Sequence, residues 1–285
     1  MAVRRLIRAH PALAYFALLI SWSYLFWQAL FAALPLDPQQ GPTPLHILLG
    51  GLGASPSLFG ILLAYVTGGK AGLRILFSRL ALHRAKPRWY MAALLLFPGL
   101  NLAVYLFYNR LGGRPHAIDS ALLAFAILGG SMSSLLEEFG WRGFALPQLQ
   151  QRHNGLLSAL LVGLAWGLWH LGLNRNMQAA GDPLANLLLS AWGPLGLTAI
   201  SLIMAWVYNS SRNSLLLMLL LHFGLTSSFF VFGPPASSPP SEFLKFHLIA
   251  DAVLWSVVGV ILAFGGARRL TLDSSFPLSK GGENL

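Results

Sequence analysis

Apolar runs of a helix-spanning length alternate along this chain with short polar stretches, and the alternation predicts its elements. Eight runs stand out, at roughly 11–35, 45–67, 89–108, 118–150, 156–173, 184–207, 213–232 and 243–265. A helix rises 1.5 Å per residue, so about twenty apolar residues cross the hydrocarbon of a bilayer. Backbone polar groups have no water to meet there and must bond within the segment. The expectation is therefore an all-α, polytopic membrane protein of about eight transmembrane helices. The fourth run exceeds the hydrocarbon thickness and must tilt, kink or project, and Pro147 is where a kink or exit is expected.

The polar intervals set the orientation. With the N-terminus in the cytoplasm, fourteen Lys and Arg fall inside and four outside (Arg110, Arg114, Arg175 and Lys245), Arg142 being counted with neither. That bias predicts an N-in, C-in topology. Arg4, Arg5 and Arg8 precede the first run as in a signal peptide, but the apolar stretch is too long for one and reads as an uncleaved anchor. The stretch from Lys70 to Arg84 is basic and apolar at helical spacing, which predicts a helix along the inner membrane surface. Pro234 to Pro240 reads as an outer loop, and the residues from Asp273 as a polar cytoplasmic tail.

Composition agrees with the pattern. Of 285 residues, 55% are hydrophobic and 10% charged, against about a quarter charged in soluble domains. The absence of cysteine excludes thiol nucleophiles, disulfides and thiolate metal sites. The net charge of +10 resides in loops on one side, so it points to a membrane surface and not to nucleic acid.

Ionisable residues within apolar spans are the candidates for chemistry. The stretch Leu135 to Gly143, LLEEFGWRG, places Glu137, Glu138 and Arg142 in the fourth run. His170 lies in the fifth and His222 in the seventh. His153-Asn154-Gly155 reads as a turn, with Glu138 sixteen residues before Asn154 and His170 sixteen after it. An antiparallel hairpin sets both at the same depth, roughly 24 Å from the turn, and His222 lies roughly 15 Å along its helix from Arg212. Adjacent helical residues point about 100° apart, so the two glutamates divide their roles. Glu138 and Arg142 have the i,i+4 spacing of an ion pair, leaving Glu137 to face the histidines. Two His and one Glu are a zinc set with an open position for water. A Glu and a His without metal also activate water as bases, and the residues alone do not choose. The His-Glu-x-x-His helix motif is absent.

At these positions the sequence resembles the CPBP family, which includes type II CAAX prenyl proteases and bacteriocin-processing enzymes. The family pattern is EExxxR, then FxxxH, then HxxxN or HxxxD on successive helices. Glu137-Glu138-Phe-Gly-Trp-Arg142 matches the first in full. Trp166-Gly-Leu-Trp-His170 carries Trp for Phe in the second, and His222-Phe-Gly-Leu-Thr226 carries Thr for Asn or Asp in the third. The resemblance covers about 118–232 of a single transmembrane domain, 1–272, followed by the tail 273–285.

It implies an intramembrane endopeptidase opening to the cytoplasmic face, in a bacterial-type plasma membrane, acting on a membrane-associated peptide or protein. By the same resemblance Glu137, His170 and His222 are the catalytic residues, with Glu138, Arg142 and Thr226 supporting them. Glu137 and His170 would activate the water, with a divalent metal, zinc, held by Glu137, His170 and His222. His222 would bind that metal or stabilise the oxyanion. Thr226 has shorter reach than the usual amide and lacks its NH₂. A non-proteolytic membrane scaffold or immunity factor on the same fold is the alternative. A transporter ranks last, because no pair of matching broken helices appears.

Overall fold

A computed structural model describes residues 2–35, 43–81, 85–177, 183–235 and 238–265. The tail from Asp273, the cations Arg268, Arg269 and Lys280, the end of the basic stretch at His83 and Arg84, and part of the 234–240 loop lie outside those residues.

Every regular element among the described residues is helical. The order is α1 (Ala2–Ala9), α2 (Pro11–Ala33), α3 (Pro44–Gly53), α4 (Pro56–Ser78), α5 (Pro87–Arg110) and α6 (Ser120–Gly140). A π segment (Trp141–Ala145) then leads into α7 (Leu146–Gln150), α8 (Gly155–Met177), α9 (Pro183–Ser210), α10 (Leu215–Phe232) and α11 (Pro240–Gly265). The starts follow local chemistry. Proline stands in the first turn of α2, α3, α4 and α5, where its missing N–H costs nothing. Ser55, Asp119, Asn154 and Ser214 each cap a helix by accepting a backbone N–H three residues on.

Seven helices among the described residues are long and apolar enough to cross a membrane, and Gly155–Leu171 of α8 is a shorter apolar helix. Large apolar side chains point outward along them, Phe264 being 85% and Leu128 63% exposed. Such a surface suits lipid and not water. The chain is an all-α polytopic membrane protein.

Two expectations, about the second run and the basic stretch after it, are corrected. The second run does not form one helix over 45–67: Ser55 caps a new helix and Pro56 cannot continue the old one, so α3 ends and α4 begins there. Gly69, at φ 60° and ψ −149°, then bends α4 sharply, in a conformation that suits glycine. The basic stretch beyond the bend is more than a surface anchor. Its Leu76 and Arg79 are buried, at 2% and 9% exposure, and Leu76 approaches Gly143 of the π segment.

The third correction concerns the hairpin. α6 packs on α10 and α4, whereas α8 packs on α9 and α2, so the two arms splay after meeting through α7 and the π segment. Small residues allow the close approaches. Gly130 backs onto Ser227 and the Phe223 carbonyl, Gly140 onto the Pro56 backbone, and Gly163 onto Thr198. Association inside a bilayer depends on such packing, since lipid tails are as apolar as leucine.

Candidate active site

The site grows from a distortion in the helix that carries the acids. The expected kink at Pro147 instead appears as the π segment immediately upstream, 141–145. Proline has no N–H for the carbonyl four residues back, which is that of Gly143. Arg79 supplies the missing donor, its guanidinium bonding that oxygen at 2.7 Å. A single π turn inside a longer helix is a recurrent feature of functional sites.

Two serines at the start of α4 hold the backbone around the acids. Ser55 Oγ donates to the Leu136 carbonyl at 2.7 Å, and Ser57 Oγ accepts from the Phe139 N–H at 3.1 Å. These bonds flank Glu137 and Glu138 and fix where both side chains leave α6.

Glu138 is fully buried and works through one oxygen. Oε1 accepts from an Arg142 guanidinium nitrogen at 2.8 Å and from His222 Nδ1 at 2.7 Å. The sequence-derived pair with Arg142 is present, and the contact with His222 is additional. Arg142 also lies 4.5 Å over the face of Trp166, a cation–π contact that helps hold a desolvated guanidinium. Oε2 of Glu138 and the Nε and second terminal nitrogen of Arg142 are buried without a hydrogen-bond partner among the described residues.

Glu137 is 7% exposed. Its Oε2 accepts from two indoles, Trp166 at 2.7 Å and Trp141 at 3.2 Å. Its Oε1 faces His222 Nε2 at 3.9 Å, beyond hydrogen-bond range. A carboxylate accepts only, so the Nδ1 contact with Glu138 places a proton on Nδ1 and turns Nε2 of His222 toward Glu137.

His170 is half-buried, one turn beyond Trp166 on α8. Its Nδ1 bonds the Trp166 carbonyl at 3.0 Å. A carbonyl accepts only, so Nδ1 carries the hydrogen and Nε2 presents a lone pair. Both histidines edge the Trp166 ring, His222 with centroids 5.3 Å and His170 5.9 Å apart from it. Trp169 lies against His170 at 4.8 Å and is itself anchored to Ser23 on α2.

The geometry therefore brings Glu137, Glu138, Arg142 and His222 into bonded or facing contact and sets His170 across Trp166 from them. The register differs from the sequence count. The count set His170 at the depth of Glu138; the α8 side chain that bonds an acid is Trp166, one turn earlier, on Glu137. Thr226 lies one turn from His222 on α10, half-buried and without a side-chain hydrogen bond among the described residues. Glu137, His170 and His222 offer the right donor atoms for a divalent ion. As placed they do not form a metal set, and no such cluster of three His or carboxylates occurs among the described residues.

Trp141, Trp166, Ser55, Ser57 and Arg79 were missed as site residues. An indole N–H beside a buried acid was the available signal for the tryptophans.

Residues 119–228 match the family model of the type II CAAX prenyl endopeptidases, Rce1-like. A curated protein of Methanococcus maripaludis named CAAX prenyl protease 2 is 28% identical over 116 residues, covering 39% of this chain and 41% of that protein. The chain thus matches about two fifths of that relative's length. The acids, the arginine, both histidines and the indoles that hold them all fall inside the matched segment, so the core of the chain is similar to the Rce1-like type II CAAX prenyl endopeptidases.

Proposed function

We propose that this protein is an intramembrane endopeptidase that hydrolyses a peptide bond of a membrane-associated peptide or protein near the cytoplasmic face. The observation that carries the reading is His222 clasped through Nδ1 by Glu138, with Nε2 turned to the unbonded oxygen of Glu137. A buried base and an oriented imidazole at that separation are what water activation requires.

In the proposed reaction Glu137 Oε1 takes a proton from water while His170 Nε2 accepts the water's other hydrogen. The water oxygen bonds the scissile carbonyl carbon, and that carbonyl oxygen becomes an oxyanion. His222 stands beside the acids with its Nδ1 held by Glu138. Nε2–H then donates to the oxyanion. When the C–N bond breaks, Glu137 returns its proton to the leaving amine. The indoles on Oε2 hold the carboxylate so that Oε1 alone faces the substrate. Zinc at Glu137, His170 and His222 would supply a Lewis acid to the water, and would need these side chains to draw together.

The full-length protein in nanodiscs, given a prenylated peptide of the CAAX type named for the curated relative, should cleave it. Glu137→Gln and His222→Ala should each abolish cleavage, and His170→Ala should lower it strongly. Undiminished cleavage in all three variants would sink the assignment. Metal analysis with and without chelator, run beside the assay, decides between zinc-assisted and metal-free hydrolysis. The N-in, C-in orientation is tested by single-cysteine labelling, which the cysteine-free chain makes direct.

Thr226 favours a second reading, a scaffold or immunity factor on the same fold, since no amide or acid stands at its position. Cellular function that persists in Glu137→Gln would select it.

A further inference from the structure

Lys86, Arg88 and Trp89 at the start of α5 and Ser210, Ser211 and Arg212 at the α9–α10 turn enclose a hollow of about 120 Å³. No carboxylate lines it. Lys86, Arg88 and Arg212 are exposed, and none forms an ion pair with an acid among the described residues. Three cations thus converge at the polar ends of two spanning helices, with two serine residues between them. The hollow is far smaller than the roughly 300–1,000 Å³ of drug-sized pockets, so it suits a compact polar group.

Two neighbouring features indicate the level at which it sits and what its shape imposes on the backbone. Trp89 packs edge-to-face on Trp206 with centroids 5.4 Å apart, and tryptophan prefers the headgroup layer of a bilayer. Arg212 and Asn213 hold φ of 58° and 59°, a conformation that favours glycine. The Asn213 N–H closes this turn on the Tyr208 carbonyl at 2.9 Å. An arginine thus stands where the backbone alone would favour glycine, and its charge is delivered to the hollow.

We propose that this hollow binds the phosphate of an anionic phospholipid headgroup. Basic pockets between membrane helices are suited to such headgroups, and each cation near the surface contributes roughly a fivefold gain in affinity. The inference is independent of the peptidase reading, since none of these side chains belongs to that site.

The test is native mass spectrometry of the full-length protein in detergent with dioctanoyl phosphatidylglycerol, dioctanoyl phosphatidylcholine or inorganic phosphate. The parent should retain phosphatidylglycerol well above phosphatidylcholine. A triple variant, Lys86→Gln with Arg88→Gln and Arg212→Gln, should lose about 100-fold of that affinity. Arg212→Gly separates charge from folding: it should lose about fivefold in affinity while its melting temperature stays level or rises, because the left-handed strain is relieved. Equal phosphatidylglycerol binding by parent and triple variant overturns the proposal. Competition by inorganic phosphate at matching concentration overturns the lipid assignment in favour of a soluble phosphate.

Discussion

Glu138→Ala is the perturbation for which the structure gives a definite magnitude. Glu138 and Arg142 are both at 0% exposure, and their 2.8 Å contact is the only salt bridge Arg142 makes among the described residues. Removing the carboxylate also strips His222 Nδ1 of its acceptor. The guanidinium would keep only the face of Trp166, since its Nε and second terminal nitrogen already lack partners among the described residues. Breaking a buried pair from one side costs about 3–5 kcal/mol, because the surviving charge stays desolvated. At roughly 2–4 °C per kcal/mol for a domain of this size, the melting temperature should fall by about 6–20 °C. Thermal unfolding in detergent, followed by tryptophan fluorescence, reads this directly. Two companions sharpen it. Glu138→Gln combined with Arg142→Met removes both charges and should recover most of the loss. Glu137→Gln keeps an oxygen for the two indoles and should stay within about 1 kcal/mol of the parent. If Glu138→Ala melts with the parent, or if Glu137→Gln falls as far, the division of labour between the two acids is wrong.

Three further outcomes are expected. Trp166→Phe deletes the 2.7 Å indole bond to Glu137, a bond to a charged acceptor worth about 1.5–3 kcal/mol; melting temperature and turnover should both drop, and Trp141→Phe, with its 3.2 Å bond, should do less. Arg79→Met leaves the Gly143 carbonyl without its donor and should destabilise by about 1–3 kcal/mol in the same melt, whereas Arg74→Met, at an exposed position, should move it by less than about 0.5 kcal/mol. Thr226→Asn restores the amide of the family pattern; if an oxyanion donor belongs there, peptide cleavage should rise on the order of 10²-fold, and an unchanged rate removes position 226 from the mechanism.

Hydrophobic run length was enough to reveal the spanning helices, because length and apolarity are local properties of sequence. The i,i+4 spacing of Glu138 and Arg142 was likewise local, and their contact is present. His222 was placed near the acids by counting depth, and it bonds Glu138; counting could not assign it to that acid, since two neighbouring carboxylates differ only in direction. Counting depth likewise could not single out Trp166, one turn before His170, as the α8 side chain that bonds Glu137. A π turn changes helical phase without leaving a periodic mark, so every register estimate that crosses 141–145 slips. Ser55, Ser57 and Arg79 were out of reach for a different reason. Each acts on backbone at least 64 positions away, and nothing in their own neighbourhoods distinguishes them from ordinary caps and surface charges.

The shared oxygen of Glu138 also has a timetable. Its two donors come from opposite ends of the core: Arg142 follows within one helical turn, while His222 lies 84 residues downstream. At a synthesis rate of about 5–20 residues per second, α10 emerges roughly 4–17 s after α6. Through that interval Arg142 is already made as a partner for Glu138, and His222 is not. The ion pair thus offsets part of the acid's burial cost before the histidine arrives to orient it.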